Sequence, residues 1–462
     1  MKTIRIGNAA GFWGDNLDAP RLLCELGSLD YLTLEYLAEL TMSILAHQKS
    51  RDPDAGFVTD FPTVVKSLLP ALTAQPNLRI VTNAGGIHPT ACARRVAEIL
   101  SRENLSDTPI AVVSGDDLTA DLDRYRADGE EFVNIETGRP LGELRESVVS
   151  ANAYLGAAGI ADALNQDARI VITGRVADAS LTVGPCLYEF GWSRDDWDRL
   201  AAATVAGHLI ECGAQMTGGM YSDWTEQLSL ADVGYPIAEI SADGALVVTK
   251  PAGTDGLVSV GTVSEQLVYE IGDPTRYLTP DVTADFSQIR LVQEAGNRVR
   301  VSGAAGASYP KGYKVSLCYR DGYMASGTLL VSGRGARQKA GRAAEMIFAR
   351  LRRVGCEPAR TDVECLGAGD SVPGVLPIET DPPEVVLRLS AADPSREVIE
   401  RFTRELAPLV TSGPPGVSGY TGPRARPRPV LAYWPTTIAR KSVAQTVTVQ
   451  PAVSWLSGNA GS

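Results

Sequence analysis

Short apolar runs alternate with longer segments of helical periodicity along residues 1–225. The runs IAVVS (110–114) and RIVITG (169–174) are almost continuously apolar, which is typical of strands that are buried on both faces. The segment TACARRVAEILSR (90–102) instead repeats its apolar positions with the period of a helix. Because strand and helix follow each other repeatedly, the pattern predicts an α/β fold, an open mostly parallel sheet with helices on both faces.

Three further segments of this region are assigned from the same pattern. GFVTDF (56–61) and FVNIETG (132–138) are predicted to be strands. SVVSANAYLGAAGIADALNQ (147–166) is predicted to be one helix, because its small and apolar residues run on without a turn signal at the start.

From residue 226 onward the pattern changes to alternating pieces separated by Gly, Asp and Pro. GLVSVGTVSEQLVYEIG (256–272) and KVSLCYRDGYMASGTLLVSG (314–333) are predicted to be antiparallel strands with one solvated face. RQKAGRAAEMIFARLRRVG (337–355) is an amphipathic helix, and PPEVVLRLSAAD (382–393) is a strand. The sequence therefore predicts a second, α+β domain over residues 226–450, with a tail at 451–462.

Charge and composition narrow the class of protein. The chain has 462 residues and a formal net charge of −12, which disfavours nucleic acid as a partner because phosphate binding requires a basic face. It contains neither an apolar run long enough to cross a membrane nor a signal-peptide pattern at its start. Its seven cysteines form no C-x-x-C pair, so a cytoplasmic protein with free thiols is expected.

The sequence gives no cofactor signature. The three histidines, at positions 47, 88 and 208, form no H-x-H or H-E-x-x-H motif, so a metal site built on imidazoles is not expected. A divalent metal held by carboxylates alone stays open. The glycines of GNAAGFWGDN (7–16) fit neither the dinucleotide fingerprint nor a phosphate-binding P-loop, so no nicotinamide or nucleotide is expected.

Candidate site residues follow the predicted strands, since open α/β sheets bind ligands at the carboxyl ends of their strands. In TNAGGIHP (82–89), His88 precedes a helix that begins at Pro89. A neutral imidazole at this position can act as a general base. The open alternative is a histidine that only orders the turn. In ITGRVADAS (172–180), Arg175 is a candidate anion clamp and Asp178 a candidate acid–base group, or simply the ion-pair partner of Arg175.

Further polar residues and glycines at strand ends complete the predicted site. The carboxylates among them could equally cap the helices that follow. The predicted catalytic residues are His88, Arg175 and Asp178, and the predicted ligand-binding residues are Asn8, Gly11, Asp15, Asn83, Gly85, Gly86, Asp116, Glu136 and Gly174.

Six stretches, in order, resemble the acyclic terpene utilisation protein AtuA family. They are GFWGDN, TNAGGIHP, ITGRVADAS, ECGAQMTGG, GTDGLVSVGTVSEQLVYEIGDPTRYLTPDV and SGPPGVSGYTGPRARP. The resemblance runs from residue 3 to about residue 445. It implies a place in a pathway that degrades acyclic terpenes through acyl-CoA thioesters, near the hydration or lyase steps, but it carries no established set of catalytic residues.

Two functions are compatible with this resemblance. The first is an enzyme, a carbon–carbon or carbon–oxygen lyase or a hydratase, that acts on a branched 3-hydroxyacyl-CoA. The second is a non-catalytic subunit that binds acyl-CoA and works with a small ferredoxin-like protein, since some members of the family continue into such a domain. The expected partners are therefore an acyl-CoA-type substrate, this small protein and further copies of the chain.

Overall fold

The computed structural model describes residues 2–226, 229–420 and 422–457. The chain forms two compact units, one of residues 1–318 with 433–462 and one of residues 319–432. The domain boundary predicted near residue 225 falls inside the first unit. Of the predicted tail, residues 458–462 lie outside the described residues.

The elements have the following bounds. The strands are β1 (Thr3–Asn8), β2 (Tyr31–Leu34), β3 (Arg79–Thr82), β4 (Pro109–Ser114), β5 (Val148–Ala153), β6 (Ile170–Thr173), β7 (Ile237–Ser241), β8 (Leu246–Thr249), β9 (Tyr277–Leu278), β10 (Thr283–Asp285), β11 (Arg290–Ala295), β12 (Arg298–Ser302), β13 (Ala305–Ala307), β14 (Gly312–Ser332), β15 (Arg360–Leu366), β16 (Glu384–Asp393), β17 (Val417–Tyr420), β18 (Arg428–Ala439) and β19 (Thr446–Pro451). The α-helices are α1 (Ala19–Gly27), α2 (Glu39–Lys49), α3 (Asp60–Ala74), α4 (Pro89–Arg102), α5 (Leu122–Ala127), α6 (Ala158–Asn165), α7 (Ser180–Phe190), α8 (Trp197–Glu211), α9 (Val260–Val268), α10 (Ala336–Arg353), α11 (Arg396–Leu406), α12 (Leu409–Ser412) and α13 (Ala452–Leu456). Short 3-10 helices span Gly142–Ser147, Gly213–Gln215, Trp224–Glu226 and Arg440–Ser442.

The first unit is built on a large mixed sheet with the strand order β11-β12-β8-β7-β1-β2-β3-β6-β4-β19. The central strands, from β1 to β4 in this order, are parallel, and the strands on both sides of them pair antiparallel. All residues of β6 are buried, as its apolar sequence predicts. The predicted fold class, an open α/β sheet followed by α+β structure, is confirmed.

Four segments differ from their predicted conformation. Residues 56–61 form no strand, because α3 begins at Asp60 with a proline in its first turn. Residues 132–138 form a turn, in which the side chain of Asn134 accepts the backbone N–H groups of Glu136 and Thr137. The predicted helix at 147–166 is a strand, β5, followed by the helix α6. The predicted strand at 256–272 contains α9, because Ser259 caps a helix.

The second unit has the topology of a ferredoxin-like domain. Its elements follow the order β14, α10, β15, β16, α11, β17, and its strands lie in the order β15-β16-β14-β17 with antiparallel pairs throughout. The helices pack against one face of the sheet, with Ala340, Ala344 and Leu351 of α10 recurring at helical spacing in the core. A separate ferredoxin-like partner stays a prediction. Among the described residues of both units, no helix combines the length and apolar character that a membrane crossing requires.

The close contact of α7 and α8 depends on Gly207, and this gives a stability prediction. A Cβ at this position would lie 2.6 Å from the Cα of Ala179, so we expect Gly207→Ala to lower the free energy of unfolding by about 1–2 kcal/mol through overpacking. At Gly341 of α10 an added Cβ would have no atom within 4 Å, so Gly341→Ala should raise the free energy of unfolding by about 0.5–1 kcal/mol. Urea unfolding measures the change in the free energy of unfolding of each variant, and the two changes should have opposite signs. An increase for Gly207→Ala would contradict the close packing at α7 and α8.

Candidate functional site

A cavity of about 850 Å³ lies in the first unit at the carboxyl ends of β1, β2 and β6. This edge of the sheet is where open α/β folds bind ligands. The loops that follow these strands supply part of the wall, and the end of α8 supplies another part. The polar lining includes Gly11, Asp15, Glu35, Glu39, Tyr154, Arg175, Asp178, His208, Glu211 and Lys314.

Arg175 is buried at the cavity and surrounded by acceptors. Its guanidinium lies 3.0 Å from the carboxylate of Asp178 and 3.9 Å from that of Glu35. It also donates to the carbonyl of Leu37 and lies 4.1 Å over the ring of Tyr154. Because Arg175 already has these partners within the protein, it positions both acids in addition to any contact with a ligand.

Glu35 is a buried acid with one committed and one uncommitted oxygen. Its Oε1 accepts hydrogen bonds from the backbone N–H of Leu37 and from the side chain of Asn83. Its Oε2 has no hydrogen-bond partner among the described residues. Burial, followed by the negative charge of Asp178, raises the pKa of Glu35 well above its usual range, against the opposing effect of Arg175. The raised pKa favours the protonated form of Glu35, and Oε2 is the oxygen left to carry the proton.

His208 and Glu211 form a second buried pair at the end of α8, three residues apart on one helix face. The Nδ1 of His208 lies 3.1 Å from Oε1 of Glu211, while Nε2 has no hydrogen-bond partner in the described part of the chain. Burial raises the pKa of Glu211 to about 7, although the hydrogen bond from His208 opposes this. Burial lowers the pKa of His208, but the bond and charge of Glu211 raise it above its usual value. The pair thus shares a hydrogen bond through which a proton can pass between the imidazole and the carboxylate.

A third polar group of the cavity lies beside Arg175. The hydroxyl of Tyr154 donates to Glu39 at 2.8 Å, and Nζ of Lys314 lies 3.0 Å from the same oxygen. Although burial alone would raise it, Lys314 and Tyr154 lower the pKa of Glu39 to about 2. Glu39 is therefore ionised and fully engaged, which fixes the ring of Tyr154 beneath Arg175.

Only part of the predicted site lines this cavity. Gly11, Asp15, Arg175 and Asp178 do so, as the position of their turns predicts. The carboxylate of Asp15 accepts the backbone N–H of Gly11 at 2.9 Å, so this loop closes on itself.

Three predicted ligand-binding residues lie behind the cavity wall and support it. Asn8 donates to the carbonyl oxygens of Ile210 and Glu211 at 2.8 and 2.9 Å, which anchors the end of α8. Asn83 bonds Glu35, and Asp116 accepts the backbone N–H of Arg175 at 2.9 Å. Each of these side chains points into the protein rather than into the cavity.

The remaining predicted residues lie elsewhere or act through packing. His88 is half-buried outside the cavity, with Nδ1 3.1 Å from the carbonyl oxygen of Ala55, and burial lowers its pKa. Glu136 is exposed in the turn at 134–138. A Cβ on Gly85 or Gly174 would clash with Thr173 or Asp116 at 2.4 and 2.1 Å, so these glycines permit close backbone packing. Gly86 has φ +53°, a left-handed conformation that favours glycine, and likewise does not line the cavity.

The sequence analysis missed several residues of the cavity, above all Glu35, His208 and Glu211. Glu35 directly follows β2, so the carboxyl-end rule could have found it. The i, i+3 spacing of His208 and Glu211 was also visible. The approach of α8 to the strand ends was not, because it depends on the tertiary fold.

Comparison with known proteins places the chain in a family. A family model described as acyclic terpene utilisation family protein AtuA matches residues 4–449. The chain belongs to the AtuA family. Membership implies involvement in acyclic terpene utilisation. No curated protein and no solved structure matches this AtuA-family chain.

The carboxylate-held metal left open by the sequence has no ready-made ligand set here. Within residues 2–226, 229–420 and 422–457 of this AtuA-family chain, no group of three or more His, Cys, Asp or Glu side chains is placed to hold a metal ion. Asp178, Glu39 and Glu211 of the cavity are paired with Arg175, Lys314 and His208, respectively.

The buried carboxyl of Asp116 makes the stability of the AtuA-family chain depend on pH. Burial raises its pKa from 3.8 to about 7, so the folded chain holds a proton that the unfolded chain has lost over this range. The proton on Asp116 contributes on the order of 4 kcal/mol to the free energy of unfolding. This contribution is complete below about pH 4 and is lost as the pH rises through about 7. Asn at this position imitates the protonated acid and does not titrate.

We therefore expect Asp116→Asn to lose stability less steeply than the wild type between pH 4 and pH 8. Urea unfolding across this range measures the difference. Asp107→Asn, at an exposed position, is the matched control and should follow the wild type. Parallel curves for Asp116→Asn and the wild type would contradict the assignment.

Proposed function

We propose that this AtuA-family chain is an acyl-CoA-processing enzyme of acyclic terpene or branched-acid catabolism, which interconverts a branched 3-hydroxyacyl thioester and the corresponding 2-enoyl thioester by loss or addition of water. The observation that carries the proposal is that Glu35 and His208 both line the cavity and that each has a buried polar atom, Oε2 and Nε2, without a hydrogen-bond partner among the described residues. Dehydration needs this combination, because one group removes the C2 proton and another protonates the departing C3 hydroxyl.

The protonation states support this division of roles. The raised pKa of Glu35 favours its protonated form, and Oε2, which has no hydrogen-bond partner among the described residues, can donate the proton. When Glu211 is ionised it accepts from Nδ1 of His208, and the neutral ring then presents Nε2 as a base. Asp178 lies close enough to both acids for its charge to raise the pKa of Glu35 and of Glu211. The charge of Asp178 therefore acts on both Glu35 and the His208–Glu211 pair.

The step balances with these residues alone. Nε2 of His208 takes the C2 proton, and the electron pair of that C–H bond forms the C2–C3 double bond. The C3–O bond breaks, and the hydroxyl leaves as water with the proton from Glu35. The negative charge of Glu211 stabilises the imidazolium that forms, as in other carboxylate–histidine pairs. In hydration the same transfers run in reverse.

The cavity has a suitable size. Its volume of about 850 Å³ lies within the range of roughly 300–1,000 Å³ that is usual for small-molecule sites. The reacting carbons and the branched part of an acyl chain fit within such a volume.

Turnover by the purified chain tests the proposal. A branched 3-hydroxyacyl-CoA is incubated with the protein, with and without Mg²⁺ and a ferredoxin-like partner protein, and the conjugated enoyl thioester is followed by its ultraviolet absorbance. We expect product with the chain alone. Binding without product under every condition would contradict the proposal and favour the non-catalytic acyl-CoA-binding subunit.

A further inference from the structure

Large apolar side chains of the cavity wall are exposed, although two basic side chains of the same wall are buried. Arg175 and His208 are only 2% and 1% exposed. The exposed apolar side chains form what we call the apolar rim, which consists of Phe12, Ile135, Met220, Tyr269 and Leu278, with exposures between 37% and 86%.

Exposed apolar groups gathered at a cavity mouth point to a ligand. Scattered exposed hydrophobic residues are ordinary on a protein surface, whereas a contiguous group at a concave site marks binding. The ligand that complements this wall has a polar group in the depth and a hydrocarbon part at the mouth. A wholly polar ligand would leave the rim uncovered.

The backbone at the rim supports a functional origin. Met220 is 86% exposed and has φ +62°, a left-handed conformation that side chains other than Asn, Asp and Gly rarely adopt. Glu270, beside Tyr269 in the cavity lining, has φ +58°. Glycine at position 220 would relieve the unfavourable conformation, so methionine at this position lowers the stability of the fold.

We infer that the apolar rim is the specificity-determining surface for the hydrocarbon chain of the substrate. The inference deepens the proposed function, because the chain would leave C3 in the depth and run outward over Phe12 and Met220. Because the apolar rim is open to solvent, no closed wall limits the length of the hydrocarbon chain that it can bind. Affinity then rises steadily with chain length.

Binding of unreactive thioesters tests this inference. The probes are S-alkanoyl-N-acetylcysteamine thioesters with straight chains of 4, 6, 8 and 10 carbons, which carry neither a hydroxyl nor a net charge. A fully buried methylene improves affinity about fourfold, and one that is covered on one side should improve it about twofold. We therefore expect Kd, measured by calorimetry on the full chain, to fall about twofold for each added methylene.

Two variants and a control separate the rim from general surface effects. In the double variant Phe12→Ser/Met220→Ser, Kd should lose most of its dependence on chain length. Met220→Gly should weaken that dependence while raising the urea midpoint, a combination that loss of folding cannot produce. Val292→Ser removes another exposed apolar side chain, 55% exposed on β11 and away from the cavity, and should behave as the wild type.

Each outcome either supports or overturns the inference about the apolar rim. A Kd that is independent of chain length, an unchanged dependence in the double variant, or no binding of any thioester would overturn the inference. These probes cannot react, so the result is independent of turnover. If Kd depends steeply on chain length but the 3-hydroxyacyl-CoA is not turned over, the inference about the rim holds and the proposed reaction is rejected. If the substrate is turned over but Kd does not depend on chain length, the proposed reaction holds and the inference about the rim is rejected.

Discussion

His208→Gln should reduce kcat for dehydration of a branched 3-hydroxyacyl-CoA by about 10²–10⁴-fold, the usual contribution of a general base. The glutamine keeps a polar side chain of similar length beside Glu211 but offers no basic nitrogen. Binding of the unreactive thioesters should change little, because the apolar rim is untouched. Steady-state kinetics with the purified variant measures kcat separately from KM.

His88→Gln is the matched control for this variant. His88 follows β3 at the predicted position, yet its side chain bonds Ala55 outside the cavity. We expect it to retain wild-type turnover and His208→Gln to lose it. The reverse pattern would restore the prediction made from the sequence and remove His208 from the reaction.

Arg175→Met should lower the free energy of unfolding by about 3–5 kcal/mol, the range measured when one partner of a buried ion pair is removed. The arginine is 2% exposed and lies 3.0 Å from the carboxylate of Asp178 and 3.9 Å from Glu35. Methionine fills much of the space but leaves the partly exposed carboxylate of Asp178 and the buried Glu35 without a cation. Urea unfolding at constant pH gives the difference.

The loss should depend on pH, which distinguishes lost charge from lost packing. Burial already raises the pKa of both Asp178 and Glu35, and removal of Arg175 raises it further. The two acids then take up protons under mildly acidic conditions, so the variant should recover part of its stability near pH 5 and lose most near pH 8. Arg175→Lys keeps the charge and should cost less at pH 8. Equal losses at both pH values would contradict the electrostatic role.

The sequence predicted the central layer of the fold well and its edges poorly. Buried parallel strands such as β4 and β6 are apolar throughout, so their pattern is unambiguous. The short segments at 132–138 and 256–272 contain β-branched residues, but Asn134 and Ser259 decide their conformation through local hydrogen bonds. Such bonds outweigh propensity in segments of this length.

The sequence also indicated the edge of the sheet at which the cavity lies, without identifying which side chains face the cavity. Asn8, Asn83 and Asp116 do lie at strand ends, yet their side chains turn inward to hold Glu211, Glu35 and Arg175. Side-chain direction in a loop has no periodic signal, unlike that in a strand or helix. For the same reason, residues supplied by α8 could be found only from the three-dimensional fold.

A crystal structure of the chain with an unreactive thioether analogue of a branched 3-hydroxyacyl-CoA tests the central claim most directly. The account predicts that the ligand occupies the cavity at the ends of β1, β2 and β6. C2 should lie within about 3.5 Å of Nε2 of His208 and the C3 hydroxyl within hydrogen-bond distance of Glu35. A ligand bound beside His88, or anywhere that leaves His208 and Glu35 without contact, would contradict it.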